Sequence, residues 1–185
     1  MIRKRQALAA GQTFAAVCLV LLACTFTFGQ GQPGNVAQAR IQKEVIHELN
    51  MLPDLTVFDN LEFQVNGDRV TLMGSVTQPV HKSEAENVVK HIEGVSRVDN
   101  KINVLPLSPM DDQLRRALYR SIYGFPVLEK YAMGVHKPIR IIVNNGNVTL
   151  EGVVDNQADK DAAGIRARTV PNVFNVTNNL RVTGS

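Results

Sequence analysis

The side chains able to do acid, base, nucleophilic or metal chemistry are scattered along the chain. The four histidines, His47, His81, His91 and His136, show no helical zinc spacing, and no cysteine lies near enough in sequence to complete a site. Ser75, Ser83, Ser96, Ser108 and Ser121 lack the Gly-x-Ser-x-Gly frame that lifts a nucleophile out of a fold. Glu84 and Glu86 read as a solvated helix face rather than a general acid/base pair. Asn147-Val148-Thr149 and Asn175-Val176-Thr177 match glycosylation sequons, but both fall in strand-forming segments. The expectation is a protein that is not an enzyme and takes no metal or cofactor.

Contact chemistry is better represented. Tyr119, Tyr123, Phe125 and Tyr131 gather near Lys130, Lys137 and Arg140. Aromatic rings beside cations suit a membrane interface or a partner groove. The same segment can also serve to cover an open sheet edge or a seam between domains. Lys160, Arg166 and Arg168 share an expected helix and offer a basic edge to lipid phosphates, although Asp159 and Asp161 stand among them, as on any solvated helix.

The elements that position these residues begin after an atypical amino terminus. Met1-Ile2-Arg3-Lys4-Arg5 is basic, and Phe14 to Ala23 is an uncharged apolar run. That pattern fits a signal peptide over residues 1–29 and is short for a membrane span. Leu21-Leu22-Ala23-Cys24 resembles a lipobox, which would make Cys24 a lipidated first residue. A cut after Gly29 is the alternative. The expected localisation is export to the periplasm, with outer-membrane anchoring if Cys24 carries lipid. The 185 residues hold 20 Lys+Arg against 17 Asp+Glu. Arg3, Lys4 and Arg5 are the only charges before Arg40, so removing them leaves 17 against 17. A neutral exported chain without Trp argues against nucleic-acid binding.

The remainder is one unit written twice. Asn60–Leu105 aligns with Pro138–Thr183 without a gap. Val70-Thr71-Leu72-Met73-Gly74 faces Val148-Thr149-Leu150-Glu151-Gly152, and Val95, Val98, Asn100 and Val104 face Val173, Val176, Asn178 and Val182. Each copy carries the same periodicities. An amphipathic helix (Ile41, Val45, Leu49, Leu52; then Leu114, Leu118, Ile122) precedes two alternating strands joined by a tight turn. A second helix (Ala85, Val88, Val89, Ile92; then Ala163, Ala167, Val170) precedes a last strand. The expected fold class is α+β: two tandem small domains, 30–106 and 107–185. Each is helix-strand-strand-helix-strand, with a three-stranded mixed sheet covered by two helices on one face. Gly74 and Gly152 are expected to be structural, at a close helix approach or a strand kink.

Two motifs carry a resemblance. The first is G-x-V-T-L-x-G-x-V, matched in full by Gly146–Val154 and from its first valine onward by Val70–Val76, where Asp68 and Arg69 separate the segment from Gly67. The second is V-x-x-V-x-N-x-(I/L)-x-V, matched by Val95–Val104 and by Val173–Val182, with Asn172 where the first copy has Gly94. The chain resembles the BON domain family, in the form of a dual-domain exported envelope protein. The resemblance implies a non-catalytic protein that binds anionic phospholipid or a membrane surface and supports envelope integrity or osmotic stress tolerance. The alternative role is an assembly module that engages another envelope protein, or a second copy, through sheet edges and the Tyr-rich insertion.

Overall fold

The computed structural model describes residues 33–134 and 137–184. The expected signal segment 1–29, with Cys24 and its two cleavage readings, lies outside the described residues, as does His136. Gly31–Ser185 forms one compact unit. Its first half runs α1 (Pro33–Asn50), β1 (Asn60–Asn66), β2 (Arg69–Val76), α2 (Pro79–Lys90), β3 (Arg97–Asn100) and β4 (Asn103–Val104). The second half runs α3 (Pro109–Tyr123), a 3-10 turn (Glu129–Ala132), β5 (Ile139–Asn144), β6 (Asn147–Val154), α4 (Gln157–Arg168), β7 (Asn175–Asn178) and β8 (Arg181–Val182). The fold is α+β, with two small mixed sheets.

In each half the first two strands are antiparallel and the later ones run parallel to the second strand. The sheet differs from the expected three strands in one respect. Its last strand is broken into two short pieces, β3 with β4 and β7 with β8. The motif asparagine causes the break. Asn100 donates through Nδ2 to the Lys82 carbonyl (2.9 Å) and accepts from the Ile102 amide (3.1 Å). Asn178 does the same with the Lys160 carbonyl (2.7 Å) and the Leu180 amide (3.3 Å). A side chain thus takes the place of a ladder bond, and the kink turns Ile102 and Leu180 into the cores, where both are buried.

Periodicity explains the layers. Ile41, Val45 and Leu49 of α1, Ala85 and Val89 of α2, and Val65, Val70, Leu72 and Val76 of the strands form one core. Leu114, Leu118, Ile122, Ala163 and Ala167 meet Ile141, Val143, Val148, Leu150 and Val154 in the other. Each fully buried Val, Leu or Ile contributes roughly 1.5–3 kcal/mol. The two hairpins use different turns. Asn145 and Gly146 both have positive φ (50° and 74°), whereas in the first hairpin Gly67 alone does (64°). These are the I′ and II′ patterns that match strand twist.

Gly74 and Gly152 are structural, at a departure of the strand backbone rather than at a close helix approach. Their φ values are +102° and +118°. A Cβ there would collide with the Asn60 or Pro138 carbonyl oxygen. The neighbour strand's backbone imposes the glycine, not a helix.

The halves also fasten to each other. The Val57 carbonyl accepts from the Ile141 amide at 2.7 Å, and the Val57 side chain joins the second core. The cover on the edge of β5 is therefore the α1–β1 loop of the first half, not the insertion of the second. That insertion instead feeds its own core, through Leu128 and Tyr131.

Candidate functional site

The residues singled out from sequence divide by burial. Tyr123 is 4% exposed and its hydroxyl donates to the Ile139 carbonyl; burial pushes its phenol pKa up. Tyr131 is 6% exposed, donates to Asp159 Oδ2 (2.6 Å) and accepts from the Asp155 amide (2.8 Å). Burial raises its pKa as well. Phe125 packs against the second core with the Arg166 guanidinium 5.2 Å from its ring. Arg166 Nε donates to the Ser121 carbonyl (3.0 Å), and Ser121 Oγ donates back to the Arg166 carbonyl (2.9 Å). These two residues clasp α3 to α4. Tyr123 and Tyr131 thus serve the fold, and the expectation that they face a lipid or a partner is corrected; Phe125 and Arg166 join the helix clasp while staying half-buried. Lys160 borders a shallow groove beside Asn179–Val182, and Arg168 is exposed at the end of α4. The fold does not bring these two to the cations described next.

Tyr119, Lys137 and Arg140 do come together. They line a cleft of about 760 Å³ in the seam between the halves. One wall is the end of α1 and the following loop, with Leu49, Met51, Leu52, Leu55, Val57 and Phe58. The other wall is α3 and the start of β5. Arg116 and Arg120 sit four apart on α3, on one helix face, with Tyr119 beside them. The Tyr119 ring lies 5.0 Å from that of Tyr123, which anchors it from within. Arg140 Nη1 reaches across to the Thr56 carbonyl at 2.9 Å. Asp54 is the one carboxylate lining the cleft, against Arg116, Arg120, Lys137 and Arg140. Arg116, Arg120, Lys137 and Arg140 make no ion pair among the described residues. An apolar floor under unpaired cations can take an amphiphile with an anionic end.

Sequence reasoning missed Arg116, Arg120 and the Met51–Phe58 wall. The i, i+4 arginines flanking Tyr119 were the available signal. The loop wall had none, because it belongs to the other repeat and meets α3 only in three dimensions.

The loop is held by Asp59. This buried carboxylate accepts from the amides and hydroxyls of Thr56 (2.9 and 2.7 Å) and Thr77 (2.7 and 2.8 Å). Burial works to raise its pKa, and those hydrogen bonds outweigh it, holding the carboxyl below its ordinary 3.8. The described residues contain no cluster of metal-ligating side chains. None of their helices is long and apolar enough to cross a membrane.

Comparison with known proteins adds the family. Similar solved structures include two of CdsD, a structural protein of the type III secretion system of Chlamydia trachomatis. One is its C-terminal domain, at 15% identity over 76% of this chain and 96% of that one, with a TM-score of 0.28. The other shows 14% identity over 78% and 94%, also with a TM-score of 0.28. A comparison with curated protein sequences finds no match. The BON domain model matches residues 37–106 and again 130–184. With both repeats matched, the chain belongs to the BON domain family, whose members are associated with membranes and the cell envelope.

Proposed function

We propose that this is a non-catalytic envelope protein that binds anionic phospholipid at a membrane surface through the inter-repeat cleft, and so supports envelope integrity or osmotic tolerance. The observation that carries the reading is the convergence of Arg116, Arg120, Lys137 and Arg140 in one cleft. Outside the basic amino terminus the chain has no net charge. Attraction to an anionic surface then depends on a local patch, and this is where cations collect. The assembly reading loses much of its expected surface, since Tyr123 and Tyr131 are buried.

Flotation of Gly31–Ser185 with vesicles tests this. Binding to anionic vesicles should exceed binding to neutral ones and fall as salt shortens the screening length. Each basic side chain near an anionic surface contributes about 1 kcal/mol, so reversing Arg116 and Arg120 together to Glu should weaken binding by ~10-fold or more. Equal flotation with neutral and anionic vesicles would overturn the reading.

A further inference from the structure

A headgroup at the rim would leave the floor of the cleft unused. Leu52, Leu55 and Phe58 are only half-buried there, facing a space of about 760 Å³. Pockets that enclose small ligands span roughly 300–1,000 Å³ and are mostly apolar, with a few placed polar groups. Here four cations line one side, on α3 and at the start of β5, while the first half supplies the apolar wall together with Asn50, Asp54 and Thr56. A planar guanidinium matches a carboxylate through two parallel hydrogen bonds. Arg116 and Arg120, four apart on one face of α3, place two guanidiniums at the same rim.

We infer that the cleft holds one long-chain fatty carboxylate as a monomer, its aliphatic chain along Leu52, Leu55 and Phe58 and its carboxylate on Arg116 and Arg120. This rests on the lipid reading above and goes further. The ligand is a single molecule withdrawn from the bilayer, not the bilayer surface, and neither repeat can form the site alone. The cleft selects a ligand with both a chain and a charge. The chain removes the floor from water at roughly 25 cal/mol per Å² of apolar surface, and the anion answers the unpaired cations.

The test is calorimetric titration of Gly31–Ser185 with palmitate, kept below the concentration at which it aggregates. One palmitate should bind per chain, and hexadecanol, with the same chain and no charge, should bind at least ~10-fold more weakly, a loss of about 1.4 kcal/mol. Arg120→Glu and Leu55→Gln should each weaken palmitate by a similar factor while the thermal melt stays in place. Lys90→Glu, on the exposed end of α2 outside the cleft, should change nothing. Several palmitates per chain, or hexadecanol binding equally well, would overturn the inference. A one-chain phospholipid that binds where palmitate does not would overturn the carboxylate assignment. If anionic vesicles bind and palmitate does not, the inference fails and the membrane reading stands. If neither binds, both fall.

Discussion

In the first half, the amide of Thr77, where β2 leaves for α2, is met by the carboxylate of Asp59. In the second half the corresponding amide, of Asp155, is met by the hydroxyl of Tyr131. The helix residue behind each is exchanged too. His81 stands 3.8 Å from Asp59 through Nδ1. At the matching position Asp159 accepts from Tyr131, while Lys130 bridges Asp155 and Asp159, each at 2.7 Å. The carbonyls of Val65 and Val143 are also matched, and the first helix of each half reaches them with a different side chain, Gln38 Nε2 (2.8 Å) or Arg115 Nη2 (2.9 Å). What the halves share is a set of backbone groups that must not be buried unpaired. The side chain that satisfies each is free to drift. The backbone positions with no such freedom are Gly74 and Gly152, where no side chain fits at all.

The largest effect should therefore come from those two glycines. Gly74→Ala and Gly152→Ala each combine left-handed strain with a collision against a carbonyl, and each should cost about 3 kcal/mol or more. Chemical denaturation checks this. If the two halves are equivalent at this point, the two losses should agree closely; a clear inequality would break the equivalence.

Next come the two loop anchors. Asp59→Ala strands the Thr77 and Thr56 amides and should cost roughly 3 kcal/mol. Tyr131→Phe removes one hydroxyl that both donates and accepts, and should cost about 1–2 kcal/mol. The order of the two, read from the same denaturation curves, ranks carboxylate against phenol at one backbone address.

The smallest effect is a difference in pH response. Asp59, Asp155 and Asp159 all have carboxyls held below their ordinary value: burial pulls upward most at Asp59 and Asp159 and is outweighed by hydrogen bonds, while at Asp155 the Lys130 bond dominates. Their contribution is complete above the unfolded value of 3.8 and is lost as pH falls below it, in both halves. At alkaline pH the halves should part. The three tyrosines all lie in the second half. Burial raises the Tyr123 and Tyr131 phenols, and the bonds to Asp155 and Asp159 raise Lys130. Groups whose folded pKa is raised contribute fully below the unfolded value, here 10.0 for tyrosine and 10.5 for lysine. That contribution fades as pH climbs past those values. Thermal melts between pH 9 and 11 should show a loss of stability that Tyr131→Phe reduces.

Much of this was legible in the sequence. Two copies aligned without a gap give the strand pairs and helix faces, because each is a local period, and mark the matched glycines by their repetition, although the carbonyl that imposes them belongs to the neighbouring segment. Asn172 standing for Gly94 was legible too: both take positive φ, 67° and 92°, as an Asn–Gly exchange at a left-handed turn leads one to expect. The break after Asn100 and Asn178 was not legible, because it depends on a side chain reaching a helix carbonyl 18 residues away. The candidate site was half legible. Tyr119, Lys137 and Arg140 were named for their types, but so were Tyr123 and Tyr131, and type alone does not separate a ring at a rim from a ring in a core. The insertion after α3 reads, from its irregular sequence, as a contact surface or as cover for an open edge or a domain seam. Leu128 and Tyr131 instead draw it inward.

One contact has a consequence for how the chain comes to be folded. An exposed strand edge invites pairing with other chains, and β5 would be such an edge but for Val57. Chains are made from the amino terminus, and early domains generally fold first. The loop that shields β5 is therefore synthesised, and anchored through Asp59, some eighty residues before the strand it will cover. The cover is thus made before the edge it protects, so a chain shortened from its amino terminus should aggregate even where its own BON domain is whole.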